Sequence, residues 1–140
     1  MVQLVCGQKG KGKTTEILAR ANEEIKTANG NIVFIDRNSA HMFELNNRIR
    51  LIDMSRYPIT SSDEFAGFIS GIISQDHDLQ SVYMDGFLKC AKVAEGEDVT
   101  NVILKLDRLS TMFDINIVIS LSMDADELSD KLKEKVLIAL

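Results

Sequence analysis

Short apolar runs alternate with longer segments of helical spacing along this chain, and this alternation limits its fold more than any other feature. Runs such as residues 31–36 (NIVFID) and 115–121 (INIVISL) are too apolar to keep one face in water. Strands that are buried on both faces are typical of parallel sheets, whose helical connections cover the two faces. We therefore predict an α/β fold, a three-layer α/β/α sandwich with a mostly parallel sheet.

The apolar runs and the helical spacing together define the expected elements. Strands are predicted at residues 2–6, 31–36, 50–54, 81–85 and 115–121. Helices are predicted at residues 13–29, 61–75 and 100–113, with a short one within 40–47. Residues 125–140 have apolar side chains at four-residue intervals, which favours a helix, yet 135–140 (KVLIAL) could equally be a strand. We expect a helix that gives way to a strand at its end.

Size and charge limit the classes of partner. A chain of 140 residues is expected to form a single domain, residues 1–140. The net charge of -5 gives no overall basic field that would attract nucleic acid or an anionic membrane. No apolar run approaches the roughly 18 residues that cross a bilayer, and the first residues lack the pattern of a secretion signal. We predict a cytoplasmic protein with neither a membrane nor a nucleic acid as partner.

A glycine- and lysine-rich loop follows the first predicted strand. Gly7, Gly12, Lys13 and Thr14 fit the pattern G-x-x-x-x-G-K-[ST], between a strand and a helix. The glycines let the backbone curl so that N–H groups form an anion nest, and the helix adds its positive end. Lys13 would reach the β- and γ-phosphates of a nucleoside triphosphate, and the Thr14 hydroxyl would bind Mg²⁺. The residues expected to contact the nucleotide are Gly7, Gln8, Lys9, Gly10, Lys11, Gly12, Lys13, Thr14 and Thr15.

With this motif the chain resembles the P-loop NTPase superfamily. The resemblance covers the loop, its flanking strand and helix, and the strand 81–85 (SVYMD), which ends in Asp85. In that superfamily such an Asp holds Mg²⁺ through water, so the resemblance implies ATP and Mg²⁺ as cofactors, with Thr14 and Asp85 at the metal. An Asp before a Gly also commonly begins a turn, and this simpler role stays open for Asp85.

Within the superfamily the chain looks most like the RecA-like ATPases and the thymidine kinase family. Residues 12–20 (GKTTEILAR) are similar to the loop and first helix of thymidine kinases. Ser120 and Ser122 end a strand where RecA-like ATPases often place a sensor residue. The cysteine set with which thymidine kinases typically bind zinc is absent, and so is the Asn-Lys-x-Asp motif with which GTPases bind guanine. The sequence shows no motif that selects the base.

The chain differs from these families mainly at the position that usually supplies the general base. Many members carry a Glu at or near position 86, which is Gly86 here. Asp36, at the end of the second strand and expected beside the loop, is the first candidate to replace it, and Asp53 is a weaker one. An Asp that begins a turn, followed by a solvated Arg37, is the simpler alternative for Asp36. We expect Lys13, Asp36 and Asp85 to be the catalytic residues.

The remaining reactive side chains give weaker signals. An arginine that stabilises transition-state charge could come from three positions, Arg48, Arg50 and Arg56. His41 and His77 have no partner carboxylate at a recognisable spacing, so we expect them on the surface. Cys6 and Cys90 form no CxxC pair, which argues against a zinc site or a disulfide, and Cys6 is expected in the core.

Three functions fit these residues. The first is a small ATPase or ATP-driven switch, which transfers phosphate to water. The second is a nucleotide-binding module without turnover that reports its nucleotide to a protein partner, and Gly86 in place of an acid supports it. The third is a kinase for a small molecule such as a nucleoside, although no arginine-rich lid segment is visible. RecA-like domains often act as rings, so the resemblance also allows a homo-oligomer.

Overall fold

A six-stranded sheet forms the centre of the protein in a computed structural model that describes residues 1–94 and 96–140. The strands are β1 (Val2–Cys6), β2 (Asn31–Asp36), β3 (Arg50–Asp53), β4 (Leu79–Met84), β5 (Asn116–Leu121) and β6 (Val136–Ala139). Their order is β3-β2-β4-β5-β1-β6, and every neighbouring pair is parallel. The carboxyl ends of all six strands therefore lie along one edge of the sheet.

Helices cover both faces of this sheet. They are α1 (Lys13–Glu24), α2 (Ser62–Gln75), α3 (Phe87–Cys90), α4 (Thr100–Phe113) and α5 (Asp130–Lys133). Ile17 and Leu18 of α1 belong to one buried apolar cluster. Phe65 and Ile69 of α2 and Leu106 of α4 belong to another, on the opposite face. The predicted α/β/α sandwich is confirmed, and the sheet is parallel throughout its described strands.

Local sequence signals locate α2 and α4 accurately. The Ser61 hydroxyl accepts a hydrogen bond from the Glu64 N–H at 3.1 Å and caps α2, as its capping pattern predicts. Helix α4 has the predicted bounds, and Asp114 ends it in the left-handed conformation, with a φ of 53°. No helix among residues 1–94 and 96–140 is both long and apolar enough to cross a membrane.

Several predicted boundaries are wrong by a few residues. Helix α1 ends at Glu24 instead of residue 29, and the helix expected within 40–47 is a single 3₁₀ turn, Met42–Glu44. Strand β3 ends at Asp53, and β4 begins two residues earlier than predicted and ends at Met84, so that Asp85 lies just beyond it. Residues at element ends have few packing contacts to fix them, which is why periodicity alone locates them poorly.

The carboxyl-terminal segment ends in a strand, as expected, but the helix before it is much shorter than expected. Residues 125–140 form a 3₁₀ turn, the four-residue helix α5 and the strand β6. The Leu4 N–H donates to the Lys135 carbonyl at 2.9 Å, and the Leu140 N–H donates to the Cys6 carbonyl at 2.8 Å. The segment therefore pairs with the free edge of β1. This pairing satisfies the backbone N–H and C=O groups of β1, which a helix at this place would leave without partners.

A half-buried ion pair joins this segment to α4. Asp107 accepts hydrogen bonds from the Val2 N–H at 3.1 Å and from the Lys135 ammonium at 3.0 Å. Partial burial acts to raise the pKa of Asp107, but the two hydrogen bonds and the Lys135 charge outweigh it, so the pKa lies below its ordinary value. A carboxyl whose pKa is lowered by folding stabilises the protein above its unfolded pKa, and this stabilisation is lost as the pH falls through the folded pKa.

Replacing Asp107 by Asn is expected to lower the free energy of unfolding by about 1–3 kcal/mol near neutral pH, because the Lys135 ammonium loses its partner. The difference from the natural protein should shrink as the pH falls below about 4, the pKa of the unfolded carboxyl, and through the lower pKa of the native one. Urea unfolding at neutral and acidic pH measures both values. Asp114→Asn, at the exposed end of the same helix, is the control and should change stability by less than about 0.5 kcal/mol. A deficit that is equal at both pH values would contradict the assigned role.

Candidate functional site

The loop from Gly7 to Gly12 connects β1 to α1 at the carboxyl edge of the sheet. Gly12 has a φ of 94° and begins α1, a conformation that side chains other than glycine rarely adopt. No side chain of the described residues caps this helix end, so its first N–H groups are available to an anion. At Gly7 the available space disfavours a larger residue, because an added Cβ would lie 3.1 Å from the Leu140 Cβ.

Lys13 is buried, with 8% of its surface exposed, and its ammonium lies across the loop. The Lys13 Nζ donates to the Gln8 carbonyl at 3.1 Å. The Gln8 side chain in turn donates to Glu127 Oε1 at 3.0 Å, which ties the loop to the turn that follows β5. The ammonium is thus held at the loop by contacts within the chain itself.

Asp85 connects the loop to the centre of the sheet. The Thr14 hydroxyl donates to Asp85 Oδ2 at 2.8 Å, and the Ser120 hydroxyl donates to Asp85 Oδ1 at 2.7 Å. The Gly86 N–H donates to the Ser120 oxygen at 3.0 Å. Strand β5 lies between β1 and β4, so Ser120 at its end bridges the gap between the two predicted motifs. The structure therefore brings Thr14, Asp85 and Ser120 into one hydrogen-bonded group.

A cavity of about 430 Å³ opens beside this group. Its lining residues are Lys9, Gly10, Gly12, Lys13, Thr14, Thr15, Arg37, Asp85, Gly86, Leu88, Lys89, Ser120 and Ser122. Of the residues predicted to contact a nucleotide, Gly7, Gln8 and Lys11 are not among the described lining residues. Arg37 and Lys89 add cations that sequence reasoning did not assign to the loop. The cavity is therefore lined by four cationic side chains in a chain of net charge -5.

Asp36 lies next to Asp85, although its strand is not next to the loop. The order of the sheet puts β4 and β5 between β2 and β1, so the expectation that the second strand lies beside the loop is wrong, although Asp36 comes close to the loop through Asp85. Asp36 is 2% exposed, and its Oδ1 accepts the Arg37 N–H at 2.7 Å. Its Oδ2 is buried without a hydrogen-bond partner among the described residues. Burial, with the charge of Asp85 as a smaller cause, raises the pKa of Asp36.

His41 is partly exposed, as a surface residue is expected to be, but it has a partner carboxylate, which was not expected. Its Nδ1 lies 2.5 Å from Glu44 Oε2, and this hydrogen bond raises the pKa of His41. One ring nitrogen of His41 and one carboxylate oxygen each from Asp36 and Asp85 lie within 4.8 Å of one another. The spacing of His41 and Glu44, three residues apart after a strand end, was the signal in the sequence that could have found this pair.

The weaker candidates lie elsewhere. Asp53 caps the turn after β3, where its Oδ1 accepts the Ser55 N–H at 2.9 Å. Arg48 and Arg50 line a different cavity, around the beginning of β2. Arg56 is exposed and is not among the described residues that line the loop cavity. None of these four side chains contributes to the group around Asp85 in the described part of the chain.

The remaining histidine and the cysteines agree with their predictions. His77 is exposed, and both cysteines are buried and form no disulfide. The Cys90 thiol contacts the site, since its Sγ lies 3.3 Å from the Asp85 carbonyl. Burial and the charges of Asp36 and Asp85 raise the pKa of Cys90 to about 12, so the thiol stays protonated.

The chain matches no known family model and no curated protein. The site therefore has to be interpreted from its own residues and geometry.

The backbone conformation at Gly86 limits which residues fit at this position. Its φ of 64° lies in the left-handed region, and it begins α3 directly after Asp85. A Cβ at Gly86 would meet only the Arg37 Cδ, at 3.7 Å, which is an ordinary contact. The restriction therefore comes from the backbone and not from lack of space.

Replacing Gly86 by Ala is expected to lower the free energy of unfolding by about 1–2 kcal/mol, the cost of a left-handed conformation for a residue with a Cβ. Gly67→Ala is the matched control, because Gly67 lies inside α2 with no atom within 4 Å of an added Cβ. That variant should gain about 0.5–1 kcal/mol. Thermal or urea unfolding measures both changes, and equal shifts in the two variants would exclude the backbone explanation.

Proposed function

We propose that this protein binds ATP with Mg²⁺ at the Gly7–Thr14 loop and hydrolyses it, as a small ATPase or ATP-driven switch. The observation that carries the proposal is the 2.8 Å hydrogen bond from the Thr14 hydroxyl to Asp85, residues that are 71 positions apart. Each was expected at a nucleotide-bound Mg²⁺ from its own motif. Two residues that act at one Mg²⁺ ion have to lie close together, as Thr14 and Asp85 do.

The cavity has the charge and the donors that a triphosphate needs. Lys13, Lys9, Arg37 and Lys89 line it, and the first N–H groups of α1 lie at its wall. Backbone N–H groups at a helix N-terminus bind phosphate oxygens, and the positive end of the helix adds to the attraction. In this proposal Lys13 exchanges its bond to the Gln8 carbonyl for bonds to phosphate oxygens.

The oxygen donors of the site suit Mg²⁺. The Thr14 hydroxyl and the Asp85 carboxylate are hard ligands of the type that this ion prefers, and they are in direct contact. When bound, Mg²⁺ would neutralise charge on the phosphates. Ser120 keeps the Asp85 carboxylate fixed through its 2.7 Å hydrogen bond, so that the carboxylate is already oriented before any ligand binds.

Asp36 is our candidate for the base that accepts a proton from the attacking water. Its carboxylate adjoins Asp85, and its Oδ2 has no hydrogen-bond partner among the described residues. Burial raises its pKa, which brings a carboxylate closer to the range in which a general base works best near neutral pH. Most of the catalysis would come from positioning and from charge neutralisation by Lys13 and Arg37.

A nucleotide-binding module without turnover is the second candidate. The observation that favours it is the left-handed backbone at Gly86, which replaces the acid that related ATPases carry near this position. Such a module would bind ATP and report its presence to a protein partner. The two candidates differ only in the release of phosphate.

Replacing Lys13 by Ala is expected to weaken ATP binding by at least about 100-fold, because the ammonium that would contact the phosphates is lost, which costs about 3 kcal/mol. Calorimetric titration with ATP in the presence of Mg²⁺ measures the affinity. Lys11→Ala is the control, since Lys11 is exposed and does not line the cavity among the described residues, and it should keep its affinity within about threefold. Unchanged affinity in Lys13→Ala would contradict the proposal that the loop binds ATP.

Replacing Asp36 by Asn is expected to slow phosphate release by about 10²–10⁴-fold, the usual contribution of a general base, while ATP affinity is retained. A phosphate-release assay on the same preparations measures the rate. Asp53→Asn, which removes a turn-capping carboxylate, should leave the rate unchanged. If the natural protein binds ATP but releases no phosphate, the second candidate replaces the first.

A further inference from the structure

We infer that Asp36, His41 and Asp85 form a binding site for a divalent transition-metal ion that does not require a nucleotide. Their three ligand atoms lie within 4.8 Å of one another. Ligand atoms at about 2.0–2.2 Å from a tetrahedral ion lie about 3.3–3.6 Å apart, so side-chain movements of up to about 1.5 Å would bring the three atoms to one ion. Asp36 ends β2, His41 lies in the loop after it, and Asp85 follows β4 directly.

The carboxylate of Asp36 supplies a second, independent observation that points to a cation. It is 2% exposed, and its Oδ2 has no hydrogen-bond partner among the described residues. A buried carboxylate oxygen without a partner is costly, and native proteins satisfy nearly all such atoms. Asp85, the neighbouring carboxylate, is also buried. A cation between the two would satisfy the free oxygen and offset both charges.

His41 determines the class of the ion. Its Nδ1 is engaged with Glu44 Oε2 at 2.5 Å, so Nε2 is the ring nitrogen left for an ion. A carboxylate that holds the second nitrogen of a histidine is the usual arrangement around metal-bound imidazole. Imidazole nitrogen suits Zn²⁺ and Co²⁺, whereas Mg²⁺ prefers oxygen ligands. Three protein ligands would leave coordination positions for water.

This site shares Asp85 with the proposed Mg²⁺ site, and an ion bound in it would also occupy the Asp36 carboxylate that the ATPase proposal uses as the base. The Mg²⁺ proposal depends on the Thr14 hydroxyl and on bound phosphates, whereas the transition-metal site depends on His41 and Asp36. Binding of Zn²⁺ without nucleotide can therefore succeed or fail whatever the outcome of the ATP experiments.

Calorimetric titration of the metal-free protein with Zn²⁺, in excess Mg²⁺ and without nucleotide, tests the inference. We expect one ion per chain, with at least about tenfold weaker binding in His41→Ala and in Asp36→Asn. Glu44→Gln should weaken binding by about 10–100-fold, because Glu44 orients the imidazole without touching the ion. Circular dichroism of each variant confirms that it is folded.

Three controls make the result specific. His77→Ala, which removes the exposed histidine, should bind Zn²⁺ like the natural protein. Lys13→Ala should also bind Zn²⁺ normally, which separates this site from the nucleotide proposal. Co²⁺ should give an absorption spectrum without a thiolate charge-transfer band, because neither cysteine is a ligand. No binding in excess Mg²⁺, unchanged binding in His41→Ala, or a thiolate band would each overturn the inference.

Discussion

Asp85 has its carboxylate where water is largely excluded, so the protein itself has to supply hydrogen-bond donors for both oxygens. Thr14 supplies one from the start of α1, and Ser120 supplies the other from the end of β5. Because the two donors belong to different elements, the carboxylate fixes the loop, the helix and the sheet relative to one another. The cavity and its cations depend on this arrangement.

The parallel sheet explains why so many polar groups meet at this edge. All six strands end on the same side, and three neighbouring strands each deliver a buried polar side chain there: Asp36 from β2, Asp85 after β4 and Ser120 from β5. Apolar residues fill most of the other positions of these strands. Asp85 and Ser120 line the cavity at this edge, where the ligands of parallel α/β sheets usually bind.

Two cation-binding roles meet at Asp85 under our proposals. The Thr14 side of the carboxylate has oxygen donors and adjoins the cationic cavity, whereas the Asp36 side has a second carboxylate and an imidazole. Hard oxygen ligands and imidazole favour different ions, so the two sides are chemically distinct although they share one residue. Gly86, with its left-handed backbone, keeps the space after Asp85 free of a third acid.

The amino-acid sequence by itself determined the sandwich, the bounds of α4 and the positions of Thr14 and Asp85, because periodicity and loop motifs are local properties. It could not place two strands between β2 and β1, decide between helix and strand for residues 136–139, or bring His41 to Asp36. Those outcomes depend on which strand edges remain unpaired and which buried charges meet, and both depend on contacts between residues far apart in the chain. Only the tertiary structure decides such contacts, because these residues do not meet until the sheet has formed.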